Sequence, residues 1–226
     1  MSQTKRIALY GGTFDPVHDG HLAVARSLLE LLALDALLFV PAHTAPHKRR
    51  SAPPTSPWHR HAMLALATQG EHRFRVSSVE LDAPERPYTV ETVARLRDEL
   101  VGARLFFVMG ADSWAEITTW REWERLLGMC DHVVVTRPGY DLSFDHVPGK
   151  IRARVVDLRG SVRERTRRAV GESEPPKIFL SDAVSEDVSA TGVRRAVARG
   201  GAPDGLRVPR AVADYIDKYG LYRDQA

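Results

Sequence analysis

A short apolar run, Ile7-Ala8-Leu9-Tyr10, stops at Gly11-Gly12. It is followed by Thr13-Phe14-Asp15-Pro16-Val17-His18-Asp19-Gly20-His21 and then by residues with helical spacing. A strand that ends on paired glycines and turns at once into a helix belongs to a layered α/β protein. The glycines let the main chain turn tightly and approach a bulky ligand with no Cβ in the way. Unpaired amides and the positive end of the helix dipole favour an anion at that turn. His18 and His21 fall on one face of the first helical turn, so both can donate hydrogen bonds to one group. The junction therefore suits a polyphosphate, although an ordinary loop with two surface histidines has the same local pattern. Neither the usual dinucleotide fingerprint nor a Walker P-loop occurs, so phosphate binding would rest on histidines and backbone amides.

The same alternation continues along the chain. Apolar runs at Arg6–Tyr10, Ala36–Pro41, Arg75–Glu80, Leu105–Met109, His132–Thr136 and Lys177–Ser181 read as strands. Between them Leu22, Ala25, Leu29 and Leu32, then Ala62 and Leu66, then Val93, Leu96 and Leu100 recur at helix spacing. This predicts a doubly wound parallel sheet with its ligand beyond the C-terminal strand ends. Two helices, near Thr191–Arg199 and Pro209–Lys218, close the chain, with Val212, Ile216 and Tyr219 as an apolar stripe. One domain spanning 1–226 is expected, with 182–226 a C-terminal helical portion packed on it. Long loops at Pro41–Pro57 and Pro138–Pro176 are candidates for function.

Composition narrows the class. A chain of 226 residues with 43% hydrophobic and 27% charged residues suits one α/β domain with a substantial core. The single cysteine, Cys130, excludes an internal disulfide framework, fits a reducing compartment, and reads as a buried inert thiol. No signal peptide is evident, and Leu28 to Val40, the longest apolar stretch, is broken by Glu30 and Asp35. A cytoplasmic protein without a membrane span is expected. Between Lys150 and Arg168 eight Lys and Arg face only Asp157 and Glu164. That segment lacks interleaved aromatics, so a solvated helix is expected rather than a nucleic-acid surface.

A second cluster, Ser189-Ala190-Thr191-Gly192-Val193-Arg194, opens the penultimate helix. Ser189 or Thr191 can be a plain helix cap; alternatively the Thr191 hydroxyl, helix amides and Arg194 guanidinium surround terminal phosphates. Gly-Gly-Thr with His-x-Gly-His at one end and Ser-x-Thr-x-x-Arg at the other resemble the HIGH-type nucleotidyltransferases. Between them lie Pro41 to Lys48, Tyr88-Thr89-Val90-Glu91-Thr92, Gly110-Ala111-Asp112-Ser113, Thr119-Trp120 and Arg137-Pro138-Gly139. In that order they resemble the bacterial nicotinate-mononucleotide adenylyltransferase family over nearly the whole chain.

The resemblance implies a Rossmann-like fold and transfer of AMP from ATP to nicotinate mononucleotide, giving deamido-NAD and pyrophosphate in NAD biosynthesis. Mg2+ would accompany the triphosphate, with no metal held by protein ligands. It further implies that His18 and His21 contact the ATP phosphates, with Gly12, Thr13 and Phe14 lining the turn. Ser189, Thr191 and Arg194 would close around the β- and γ-phosphates. Asp112 would bond ribose hydroxyls, Gly110 would admit the nucleotide to the strand end, and Arg137 would lie beside the adenosine. Lys48, Tyr88, Thr89 and Trp120 would hold nicotinate mononucleotide. Each also has a bland reading: Trp120 as core, Asp112 as a helix cap, Lys48 as a solvated loop residue. The family often has an aromatic residue after the pocket tryptophan; here Arg121 follows it, and it either meets the nicotinate carboxylate or points to solvent.

The acceptor phosphate is already anionic at neutral pH, so the chemistry asks for positioning and charge neutralisation more than for a strong base. Neighbouring phosphates would favour doubly donating imidazolium at the histidines. Pantetheine-phosphate adenylyltransferases and glycerol-phosphate cytidylyltransferases share the first motif but account less well for Tyr88-Thr89 and Trp120. A non-catalytic nucleotide sensor or nucleic-acid binder is the alternative outside enzymes. A homo-oligomer is compatible with the sequence, which does not fix the oligomeric state.

Overall fold

The computed structural model describes residues 4–43, 54–136, 142–160, 175–182, 188–201 and 205–223. Its centre is a parallel sheet of seven strands: β1 (Arg6–Gly12), β2 (Ala36–Pro41), β3 (Phe74–Val76), β4 (Arg104–Gly110), β5 (Asp131–Val135), β6 (Val155–Asp157) and β7 (Ile178–Ser181). They lie in the order β3-β2-β1-β4-β5-β7-β6. β1 is central, with Ile7 opposite Ala36 of β2 on one side and Leu105 of β4 on the other. The winding reverses between β1 and β4. In such sheets the crevice outside the strand ends at the reversal is where ligands bind, and here Gly12 and Gly110 terminate the two strands.

Side chains alternate along the strands between two cores. Ala8, Phe106 and Val108 face one layer with Leu28 of α1 (Asp19–Leu31) and Met63 of α2 (Pro57–Thr68). Leu9, Leu105 and Phe107 face the other, with Val93 of α3 (Thr89–Glu99), Trp114 of α4 (Ala111–Ala115) and Leu126 of α5 (Trp123–Met129). Each such Leu or Phe, fully buried, contributes about 1.5–3 kcal/mol of transfer free energy. A four-residue helix α6 (Gly149–Arg152) precedes β6, and α7 (Ala190–Ala198) and α8 (Arg210–Lys218) follow β7. α8 packs on α2, and the Asp19 amide at the head of α1 donates to the Arg207 carbonyl (3.0 Å). Among the described residues no helix is long and apolar enough to cross a membrane.

Several local readings shift. The third strand is Phe74–Val76, not Arg75–Glu80. The chain turns at Ser78, whose carbonyl accepts from the amides of Leu81 (2.8 Å) and Asp82 (2.9 Å). The basic stretch does not begin as a solvated helix. Its described part is the short α6 and the edge strand β6, where Val155 pairs with Ile178. Three of its charges are locally matched, with Lys150 3.2 Å from Glu124, Arg152 3.4 Å from Asp145 and Arg159 2.7 Å from Asp157, while Arg154 donates to the carbonyls of Pro176 and Leu127. The buried face of α2 is Arg60, Met63, Leu64 and Thr68, and Ala62 and Leu66 only flank it. In α8 the stripe runs through Val212, Ala213 and Ile216. Tyr219 is half exposed and its ring centroid lies 4.5 Å from that of Tyr215.

Candidate active site

The glycine turn is built from below by an aromatic prop. Phe14 is 2% exposed and sits edge-on to Tyr10 and Phe39, with centroids 5.4 and 5.6 Å away. A Cβ on Gly12 would come within 2.8 Å of the Phe14 ring, so only glycine lets the turn close over it. Phe14 itself holds φ +49°, a left-handed conformation uncommon for an aromatic residue, which the packing around its ring maintains. Phe14 thus serves the turn from the core side, through its backbone and its packing.

His18 and His21 come together at the start of α1, ring centroids 3.7 Å apart and tilted by 30°. The His18 amide donates to His21 Nδ1 (3.2 Å). In that contact the backbone N–H donates and the ring nitrogen accepts.

The far end of the chain reaches the same turn. Ser189 caps α7, its Oγ accepting from the Gly192 amide (3.0 Å), and Thr191 and Gly192 lie exposed on the first helical turn. Arg194 Nη1 donates to the Asp15 carbonyl (2.7 Å) and Nη2 to Thr191 Oγ1 (3.2 Å). The buried Asp15 carboxylate accepts from the Tyr222 hydroxyl (2.9 Å). Burial, then the adjacent Asp15 charge, raises the Tyr222 hydroxyl above its ordinary value, so it stays a donor.

A cleft of about 920 Å³ opens beside Gly11, Gly12 and Thr13. Tyr88, Thr89 and Trp120 line it, as the resemblance implies, with Tyr88 half exposed at the start of α3. The Tyr88 amide is held by Glu91 (2.8 Å). His18, His21, Thr191 and Arg194 are not in its wall; they gather further along the same turn. Asp112 is exposed at the second position of α4, and its neighbour Ser113 lines the cleft. A Cβ on Gly110 would meet nothing, so glycine there leaves the strand end open. Lys48 and Arg137 lie outside the described residues.

Two residues not singled out by the sequence organise this site. Arg60 is fully buried and ties three loop segments through main-chain carbonyls. Nε donates to Thr55 (2.9 Å), Nη1 to Thr13 (2.6 Å), and Nη2 to Ala42 (2.7 Å) and His43 (3.1 Å). The guanidinium fork thereby joins the turn after β1 to the chain leaving β2. Glu80 then takes the His43 amide (3.0 Å) and the Thr92 hydroxyl (2.9 Å). Burial raises the Glu80 carboxyl above the usual carboxylate range, while those two hydrogen bonds and the charges of His43 and Arg60 pull it back. Arg60 shares its buried helix face with Met63 and Leu64, but a charged residue at that position gives no sequence signal of burial. Glu80 carried none.

A doubly wound sheet whose reversal point meets a glycine turn, stacked imidazoles and an incoming guanidinium has the architecture of a nucleotidyltransferase. The cytidylyltransferase-like family model matches residues 9–196. A Rubrobacter xylanophilus protein named "Probable nicotinate-nucleotide adenylyltransferase" is 36% identical over 98% of this chain and 94% of its own length. A Thermus thermophilus protein of the same name is 38% identical over 96% of this chain and all of its own length. The fold also matches a Plasmodium falciparum nicotinic acid mononucleotide adenylyltransferase complexed with NaAD. There the TM-score is 0.69 and the identity 19%, over 96% of this chain and 97% of that one. The chain belongs to the cytidylyltransferase-like family and, within it, to the nicotinate-nucleotide adenylyltransferases.

Proposed function

We propose that this protein transfers AMP from ATP to nicotinate mononucleotide, yielding deamido-NAD and pyrophosphate in NAD biosynthesis. The observation that carries the reading is Arg194 bonded to the turn that also presents His18 and His21, beside a cleft walled by Tyr88 and Trp120. An oxygen of the acceptor phosphate attacks the ATP α-phosphorus, the bond to the bridging oxygen breaks, and pyrophosphate leaves. His21 Nε2–H and His18 donate to the phosphates where charge builds, while Arg194 and Thr191 hold the leaving end. Gly12, Thr13 and the helix amides seat the triphosphate. Tyr88, Thr89 and Trp120 take the pyridine ring, and Asp112 meets the ribose of ATP across the open end of β4. Lys48 and Arg137 complete the substrate contacts in this reading.

Mg2+ bound to the triphosphate would offset part of its charge. The carboxylate of the turn, Asp15, is buried and accepts from the Tyr222 hydroxyl. ATP and nicotinate mononucleotide are the partners proposed, in the cytoplasm, where one free thiol is at home. The test is pyrophosphate release by the purified protein with ATP or CTP against nicotinate mononucleotide, nicotinamide mononucleotide and phosphopantetheine. The reading expects turnover with ATP and nicotinate mononucleotide. Turnover only with phosphopantetheine or only with CTP overturns it, as does oligonucleotide binding without pyrophosphate release from any pair.

A further inference from the structure

We infer that Arg121 is the residue that selects an acid-bearing over an amide-bearing pyridine nucleotide. The inference rests on the acceptor assignment proposed above and deepens it. The Arg121 guanidinium carbon lies 4.6 Å from the centroid of the Tyr88 ring, and Arg121 lines the cleft next to Trp120. A guanidinium seated on an aromatic face is pre-oriented, and its planar fork matches a carboxylate.

The charged side chains in the cleft wall are Glu80, Glu85, Arg86 and Arg121. Glu80 is committed to the His43 amide and Thr92. Arg121 has an exposed neighbour in Glu122, whose carboxylate lies 3.8 Å from Nε, a separation and exposure at which an ion pair contributes little. The guanidinium therefore remains free to exchange that contact for an anion on the ligand.

Geometry also decides which anion. The acceptor phosphate has to reach the ATP α-phosphate at the glycine turn, so the ring end of the acceptor is the end that meets Tyr88 and Trp120. A carboxylate on that ring receives a charge-assisted, two-pronged pair of hydrogen bonds from Arg121. A carboxamide offers one neutral oxygen and brings N–H groups that oppose the guanidinium donors.

The experiment measures kcat/KM for nicotinate and nicotinamide mononucleotides with saturating ATP in wild-type protein, Arg121→Met and Arg121→Lys. Arg121→Met keeps an unbranched side chain but removes the guanidinium that sits over Tyr88, and a thermal melt checks that the exposed substitution leaves the fold intact. The expected result is a drop of about tenfold in the acid-to-amide ratio for Arg121→Met, the difference between a charge-assisted and a neutral hydrogen bond. Arg121→Lys, with charge but no fork, falls between. An unchanged ratio overturns the inference, whether both acceptors keep their rates or both lose equally because the guanidinium serves the phosphate. If wild-type protein releases pyrophosphate with neither nucleotide, the acceptor assignment itself has failed and this inference falls with it.

Discussion

Arg194 Nη1 and the main-chain oxygen of Asp15 are joined at 2.7 Å although 179 residues separate them. The contact places a cation from α7 on the turn between β1 and α1. The same guanidinium holds Thr191 Oγ1, so the hydroxyl and the charge arrive together. Tyr222 adds a second clasp from the end of the chain by donating to the Asp15 carboxylate. The turn between β1 and α1 is therefore tied to both ends of the sequence, and its geometry depends on the C-terminal helices being docked.

Removing the imidazole that opens α1 tests the chemistry of the turn. His18→Ala is expected to lower kcat by two or more orders of magnitude, about 3 kcal/mol, the usual loss for a donor aimed at developing charge. Pyrophosphate release under saturating substrates reads this directly. Near-wild-type turnover in a folded variant removes His18 from the mechanism.

Arg60 is expected to be the most sensitive single position for stability near the site. Arg60→Met leaves the part-buried carbonyls of Thr13, Ala42, His43 and Thr55 without this donor. Several such losses at about 1–3 kcal/mol each predict destabilisation of about 3 kcal/mol or more in urea unfolding. Arg60→Lys restores the charge but not the fork and recovers only part. A midpoint equal to wild type for Arg60→Met contradicts the clasp.

His132 sets an acid limit on stability. It is fully buried in β5, its Nδ1 paired with the Cys130 carbonyl at 3.0 Å, and Nε2 lacks a hydrogen-bond partner among the described residues. Burial, the dominant cause, lowers its pKa to about 3, so the folded protein holds it neutral. The unfolded chain takes up a proton near pH 6.5 and the folded one does not, so stability falls as pH drops from about 6.5 toward about 3, at up to about 1.4 kcal/mol per pH unit. Urea unfolding of wild type and His132→Leu between pH 7 and pH 4 checks this. The variant is expected to show a shallower decline, and identical slopes contradict the assignment.

Cys130 follows the same logic with the opposite sign of charge. It is buried, and desolvation pushes its thiol up to about 12, which keeps it protonated. A thiol reagent at pH 8 is expected to label it only when denaturant unfolds the chain. Stoichiometric labelling of native protein at the mixing rate contradicts that.

The parts of this architecture legible in sequence are those written in local pattern. Ile7 to Gly12 reads as a strand with a turn because apolar residues and glycines adjoin, and Leu22, Ala25 and Leu29 announce α1 by spacing alone. The short edge strand β6 does not. Three residues inside a basic stretch become a strand only because Val155 meets Ile178, a pairing that local pattern does not encode. Glu80 read as strand because the turn at Ser78 is made by short-range hydrogen bonds, the Leu81 and Asp82 amides to the Ser78 carbonyl, with no glycine or proline to announce it. Within the site, His18, His21 and Arg194 were readable as motif residues. The Arg60 clasp was not, because a buried arginine violates the usual partition of charge and is recognisable only once its four carbonyl partners are in place.

The convergence of the two chain ends on one triphosphate is tested most directly by a double-mutant cycle on kcat/KM for ATP, using His18→Ala, Arg194→Ala and the pair. Groups that grip one ligand act as a unit, so the double variant is expected to lose far less than the product of the two single losses. Strictly multiplicative losses, or a wild-type rate in Arg194→Ala, contradict the account.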